Sequence, residues 1–207
     1  LAAAFLVAVR ATAAVDVVTT PSSLGMLART VGGDAVKVAV LATPDRDVHF
    51  LQAKPSMMLA VRRARLLISV GAELEVGWLP AVIESAGNPR VLPGQNGYFE
   101  AAAQVDLIER GETADRSKGD VHPMGNPHLY LDPPRMASVA RALAARLATL
   151  DPANAARFAD NAEAFRRAVD ARLPLWSAKA AGAAGVVLYH KDVNYLARLL
   201  GLTVHGY

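Results

Sequence analysis

Hydrophobic and polar positions along this 207-residue chain switch repeatedly between a period of two and a period near 3.6, and that switching predicts its elements. "VDVVTT" (15–20) is a β-branched run ending at Pro21, and "SSLGMLARTVGG" then carries apolar side chains at helical spacing until Gly32 and Gly33 stop it. "VKVAVLAT" (36–43) restores the strand pattern. A polar loop with Asp45, Asp47 and His49 follows, and a helix starts at Pro55, where the missing N–H costs nothing. "RLLISVG" (65–71) reads as a third strand, "GWLPAVIESAG" (77–87) as a helix closed by Gly87, and "RVLPG" (90–94) as a short fourth strand. Strands alternating with helices predict an α/β fold with a mostly parallel sheet covered on both faces.

From Asp132 the pattern becomes helical. Asp132-Pro133 opens "PPRMASVARALAARLATL", and Asp151-Pro152 opens a second helix of about 25 residues, ~37 Å long, which Pro174 ends or kinks. "GVVLYH" (185–190) then returns to strand and "DVNYLARLLG" to helix. The divisions expected are a leader remnant at 1–14, an α/β lobe at 15–150, a linking helix at 151–180 and the start of a second α/β lobe at 181–207. One strand and one helix cannot cover a two-sided sheet, so the pattern predicts a continuation beyond residue 207.

Composition narrows the chemistry. The hydrophobic content of 53% suffices for a sizeable core, and the net charge of +3 with 6% aromatics is too slight for a nucleic-acid surface. No cysteine is present, so any metal must be held by His, Asp or Glu. The opening "LAAAFLVAVRATAAVDVVTT" has the apolar run and small-residue A-x-A step of a secretory signal peptide, without its basic start or initiator Met, which predicts an exported chain that begins within its own signal.

The five histidines, His49, His122, His128, His190 and His205, are too widely spaced for a local zinc motif. Their contexts say more. His49 lies in the loop after a predicted strand, His190 ends "VVLY", and ligands of open α/β sheets bind beyond the carboxyl ends of strands. His128 follows the Gly125-Asn126-Pro127 turn. Three neutral imidazoles suit zinc. Glu73 and Glu75 alternate after the third strand and are candidates to accept a hydrogen bond from a ligand imidazole. Trp78 and Tyr195 read as core, and no phosphate loop or nucleophile elbow appears.

Four ordered segments carry a resemblance: "DRDVHFLQAKPS" (45–56), "ARLLISVGAELEVGWLP" (64–80), "GNPHLYLDP" (125–133) and "YHKDVNYLARLLGL" (189–202). Together they resemble the zinc- and manganese-type solute-binding proteins of bacterial ABC importers, in which two α/β lobes are joined by one long helix. The resemblance implies that His49, His128 and His190 are metal ligands, with the histidine at the third position pointing to Zn²⁺ rather than Mn²⁺. It implies a periplasmic receptor that is not an enzyme, with an ABC permease, its ATPase and a zinc chaperone as partners. A second-lobe carboxylate completes such sites in the family, and no residue here matches it. "GETADRSKGDVHPMG" (111–125) is similar to a short form of the family's histidine-bearing loop, which makes His122 an auxiliary or capture residue alongside Glu73. Two other readings fit three histidines: a zinc hydrolase whose metal activates water, and an adhesin on the same fold. Arg135, beside the ligand loop, has no role in any of them.

Overall fold

In the computed structural model, which describes residues 13–111 and 122–207, the first four strands form one sheet in the order β2-β1-β3-β4, every pair parallel. These are β1 (Val15–Pro21), β2 (Val36–Ala42), β3 (Leu66–Ser69) and β4 (Tyr98–Glu100). The segment expected to be a signal peptide lies mostly outside the described residues, as does the middle of the loop expected to bear His122.

The central strands are apolar on both faces, as a parallel sheet covered on both sides requires. Val15, Val17, Leu66 and Ile68 face one core, shared with α1 (Ser22–Gly32), α4 (Pro133–Leu150) and α5 (Ala155–Ala180). Val18 and Leu67 face the other, with α2 (Pro55–Arg63), α3 (Leu79–Ala86) and Trp78. Edge strand β2 instead alternates half-buried and exposed positions from Val36 to Val40, before Ala42 is buried at its end.

Helix starts follow the sequence signals. Asp132 caps α4 by accepting from Arg135 N–H at 2.9 Å, and Pro133 occupies the first turn, where no intrahelical donor is needed. Pro174 does not end α5, which runs 26 residues through it. Around Pro174 the helix is largely exposed, so water can bond the carbonyl that proline leaves without a donor.

The predicted fourth strand is corrected. Pro89–Val91 is a one-turn 3₁₀ helix, and the strand is Tyr98–Glu100, in register with Leu67–Ser69. Two prolines, Pro89 and Pro93, remove donors that a ladder would need. Asn88, buried beside them, accepts from Arg90 N–H and donates to the carbonyls of Val61 and Ala64, which bends the chain into a turn. Beyond α5, β5 (Val186–Val187) and β6 (Val204–Gly206) form a parallel pair around α6 (Asn194–Leu199).

Helix α5 buries three side chains, Phe158, Ala162 and Val169, and the first two lie in the core on this face of the sheet. Phe158→Ala removes the largest of these and leaves a cavity, so the free energy of unfolding should fall by about 3–5 kcal/mol in urea titration.

Candidate metal centre

Parallel strands all point their carboxyl ends the same way, so the loops that leave them share one rim. His49 lies in the loop after β2 and His128 in the segment after β4, while His190 follows β5. Their rings converge. Centroids are 5.2 Å apart for His49 and His128, 5.6 Å for His49 and His190, and 4.9 Å for His128 and His190. His122 joins them at 5.4 Å from His49 and 5.8 Å from His128. Four imidazoles bound tetrahedrally at Zn–N ~2.05 Å would have centroids about 5.2 Å apart. The observed spacings scatter around that figure.

His49 and His128 are held by the same device. In each, the side-chain oxygen two residues earlier accepts both the backbone N–H and the ring Nδ1–H: Asp47 Oδ1 at 2.9 and 2.7 Å, Asn126 Oδ1 at 2.9 and 2.8 Å. A proton on Nδ1 leaves Nε2 bare. Both Nε2 atoms are buried and have no hydrogen-bond partner among the described residues. Buried polar atoms are rarely left so, and a cation is the partner these two nitrogens fit. One ring nitrogen each from His49, His122 and His128 lies within 4.8 Å of the others.

His190 is held differently. Its Nδ1 accepts from Asp192 N–H at 3.2 Å, with Asp192 Oδ1 at 3.7 Å. A neutral ring accepting at Nδ1 carries its proton on Nε2. Metal binding through Nε2 would require that proton to leave the ring nitrogen.

The glutamates sit elsewhere. Glu73 is exposed, in a left-handed turn at φ +68°, and bonds no imidazole among the described residues. Glu75 is buried and accepts from Thr20 Oγ1 at 2.5 Å, Val70 N at 2.8 Å and Gly71 N at 3.0 Å. It stitches β1 to β3 at the point where the sheet order reverses, so neither glutamate orients a ligand ring. The orienting residues, Asp47 and Asn126, went unassigned in the sequence, although D-x-H and N-x-H are both visible there. His205 lies on β6, apart from the cluster.

Arg135 acquires a structural role. It donates to the Asp132 carboxylate at 2.5 Å and to Asp106 O at 2.9 Å, and its guanidinium lies 5.1 Å from the Tyr195 ring centroid. Tyr195 in turn donates to Asn126 O at 2.6 Å, so this stack supports the His128 turn from below.

The profile of the family described as "ZnuA: Zinc-uptake complex component A periplasmic" matches residues 17–207. The chain belongs to this family. It is 27% identical over 209 residues to the high-affinity zinc uptake system protein ZnuA of Yersinia pestis, covering 94% of this chain and 66% of that protein. It is 24% identical over 153 residues to the metal ABC transporter substrate-binding lipoprotein ScbA of Streptococcus cristatus, covering 72% and 46%. The manganese ABC transporter substrate-binding lipoprotein scaA of Streptococcus gordonii matches to the same extent, 24% over 153 residues. The chain thus spans about half to two thirds of the length of these relatives. Among solved structures, a crystal structure of ZnuA superposes with TM-score 0.75 at 22% identity, covering 93% of this chain and 70% of that one. The Zn(II)-bound ZnuA-like domain of Streptococcus pneumoniae AdcA superposes at 0.72 and 19% identity, covering 94% and 67%. These likenesses establish a shared α/β solute-binding-protein fold.

Burial lowers the His128 pKa from 6.5 to about 3, helped by the neighbouring His49, His190 and His122 and opposed by Asp47. The unfolded chain takes up this proton near 6.5 and the folded chain only near 3. Stability from His128 is therefore complete above about 6.5 and drains as the pH falls toward 3. Metal-free protein should lose on the order of 2 kcal/mol between pH 7 and 5 from this residue. In denaturant titrations at the two pH values, His128→Leu, which cannot take up a proton, should flatten that slope.

Proposed function

We propose that this chain is the zinc-binding receptor of an ABC-type metal importer, which captures Zn²⁺ among His49, His128 and His190 and delivers it to a membrane permease driven by its ATPase. One observation carries the reading: four imidazoles from three separate segments of the chain converge, and two of them present buried, bare Nε2 atoms. Family membership supports it. His122 is the fourth imidazole of the set, and the closeness of one of its ring nitrogens to those of His49 and His128 supports it as a further donor to a tetrahedral shell. A closed shell suits capture and release, since it leaves no open position for a reacting water.

Nitrogen donors favour zinc, whereas Mn²⁺ prefers carboxylate and water oxygens. Both a zinc uptake system protein and a manganese ABC transporter lipoprotein are among the relatives, and it is the donor set that favours zinc here. Export through the N-terminal leader would bring the receptor to the periplasm, in keeping with the family description. A zinc chaperone is a further partner on this reading. No described helix is long and apolar enough to cross a membrane.

The test is zinc affinity, measured by competition with a chromogenic chelator. His49→Ala, His128→Ala and His190→Ala should each weaken binding by about a hundredfold or more, beyond the 10–100-fold typical of losing an outer hydrogen-bond partner. His122→Ala should cost less affinity and slow capture. Mn²⁺ should compete poorly. Unchanged affinity in the three alanine variants would refute the site, and zinc-dependent ester turnover abolished by His128→Ala would refute the receptor in favour of a hydrolase.

A further inference from the structure

The amide of Asn126 is the joint between two of the candidate ligands. Its Oδ1 accepts both bonds from His128, and its Nδ2 donates to Lys191 O at 2.9 Å, the peptide that follows His190, and to Glu109 Oε2 at 3.0 Å. Two donor hydrogens and two acceptor lone pairs are thus all used. Reversing the amide would set an NH₂ against the His128 N–H and an oxygen against two other oxygens. Only one orientation satisfies the surroundings, and that orientation is the one that holds His128 with its proton on Nδ1.

Alongside the Lys191 carbonyl, Glu109 adds a charged acceptor on the donor side of that amide. Its second oxygen accepts from Asn194 Nδ2 at 2.7 Å, so one carboxylate is shared between the ligand turn and helix α6. The residue adopts φ +60°, a left-handed conformation that a side chain other than glycine's takes up only at a cost. The segment around it is pinned as well. Asn126 N donates to Ile108 O at 2.8 Å, Ile108 N donates to the Tyr195 hydroxyl at 3.3 Å, and a Cβ on Gly125 would lie 2.8 Å from Leu107 Cβ and 2.9 Å from Arg110 Cγ. Nothing in the backbone geometry calls for glutamate at 109; glycine would suit the φ better. The carboxylate is the feature that the strained position retains.

We propose that Glu109 is a positioning residue for metal capture: by receiving the amides of Asn126 and Asn194 together, it fixes the Asn126 amide, keeps His128 Nε2 bare, and ties the peptide after His190 to the same support. The inference rests on the receptor reading for its consequence in zinc affinity, but its structural half concerns the metal-free protein.

Glu109→Gly removes the carboxylate while suiting the left-handed backbone, and Glu109→Gln keeps the shape but accepts from one amide only. Two readouts decide: zinc affinity by chelator competition, and the His128 tautomer in metal-free protein from long-range ¹H–¹⁵N spectra. Glu109→Gly should keep the thermal unfolding midpoint, weaken zinc binding roughly tenfold or more, and convert His128 from one Nδ1–H form to a mixture. Glu109→Gln should shift both readouts in the same direction by less, and it decides the matter should the glycine variant unfold. Affinity within about twofold of the parent, or an unaltered tautomer, overturns the proposal, because outer partners that orient a ligand typically carry 10–100-fold. A parent protein that binds no zinc would refute the receptor reading and leave the tautomer to judge this one.

Discussion

A neutral imidazole binds a metal only through the nitrogen that carries no proton, so every feature of this site depends on what holds the other one. For His49 and His128 that partner is an oxygen two residues earlier, which takes the backbone N–H and the ring N–H at once. In both cases the acceptor that touches the ring comes from the local chain. It fixes turn and tautomer together, and it leaves Nε2 facing the cluster. Where the pair is partly exposed the acceptor is Asp47, whose charge water can screen; where it is buried the acceptor is Asn126, whose two further donors answer two further acceptors.

The sheet supplies the rest of the convergence. Parallel strands deliver their following loops to one rim, and the crossovers that make parallel pairing possible are the helices covering both faces. Glu75 secures the point of reversal between β1 and β3, with Thr20 and two backbone amides offsetting the burial that raises its pKa. On the far side, Arg135, Tyr195 and Glu109 connect the His128 turn to α6. The loops that carry the candidate ligands are therefore braced from the elements on which they sit.

Much of this was legible along the chain. Helix starts at Pro55 and Asp132-Pro133, stops at Gly33 and Gly87, and three of the four strands of the main sheet follow from periodicity and local turn chemistry. The fourth strand lies elsewhere because "RVLPG" has apolar β-formers but follows Pro89 and contains Pro93, neither of which carries a donor, and its turn is made by Asn88 reaching carbonyls 24 and 27 residues away. Glu73 and Glu75 alternate in sequence, yet a left-handed turn from Gly71 to Glu73 sends the first to solvent and the second under the sheet. Such backbone reversals are settled by what surrounds them; a carboxylate from β4, Glu100, receives Ala72 N–H here.

The sequence by itself determined the α/β class, the element order, the absence of thiolate chemistry and the histidines worth considering, because period, capping and residue type are local properties. Tertiary structure alone decided which of those histidines meet, that His122 stands among them, and that Asn126 rather than a glutamate orients His128. Those outcomes turn on distances between loops separated by up to 141 positions, from His49 to His190, and no local pattern encodes the closing of such distances. They are set by the packing of two cores against one sheet, where every side chain's place depends on all its neighbours.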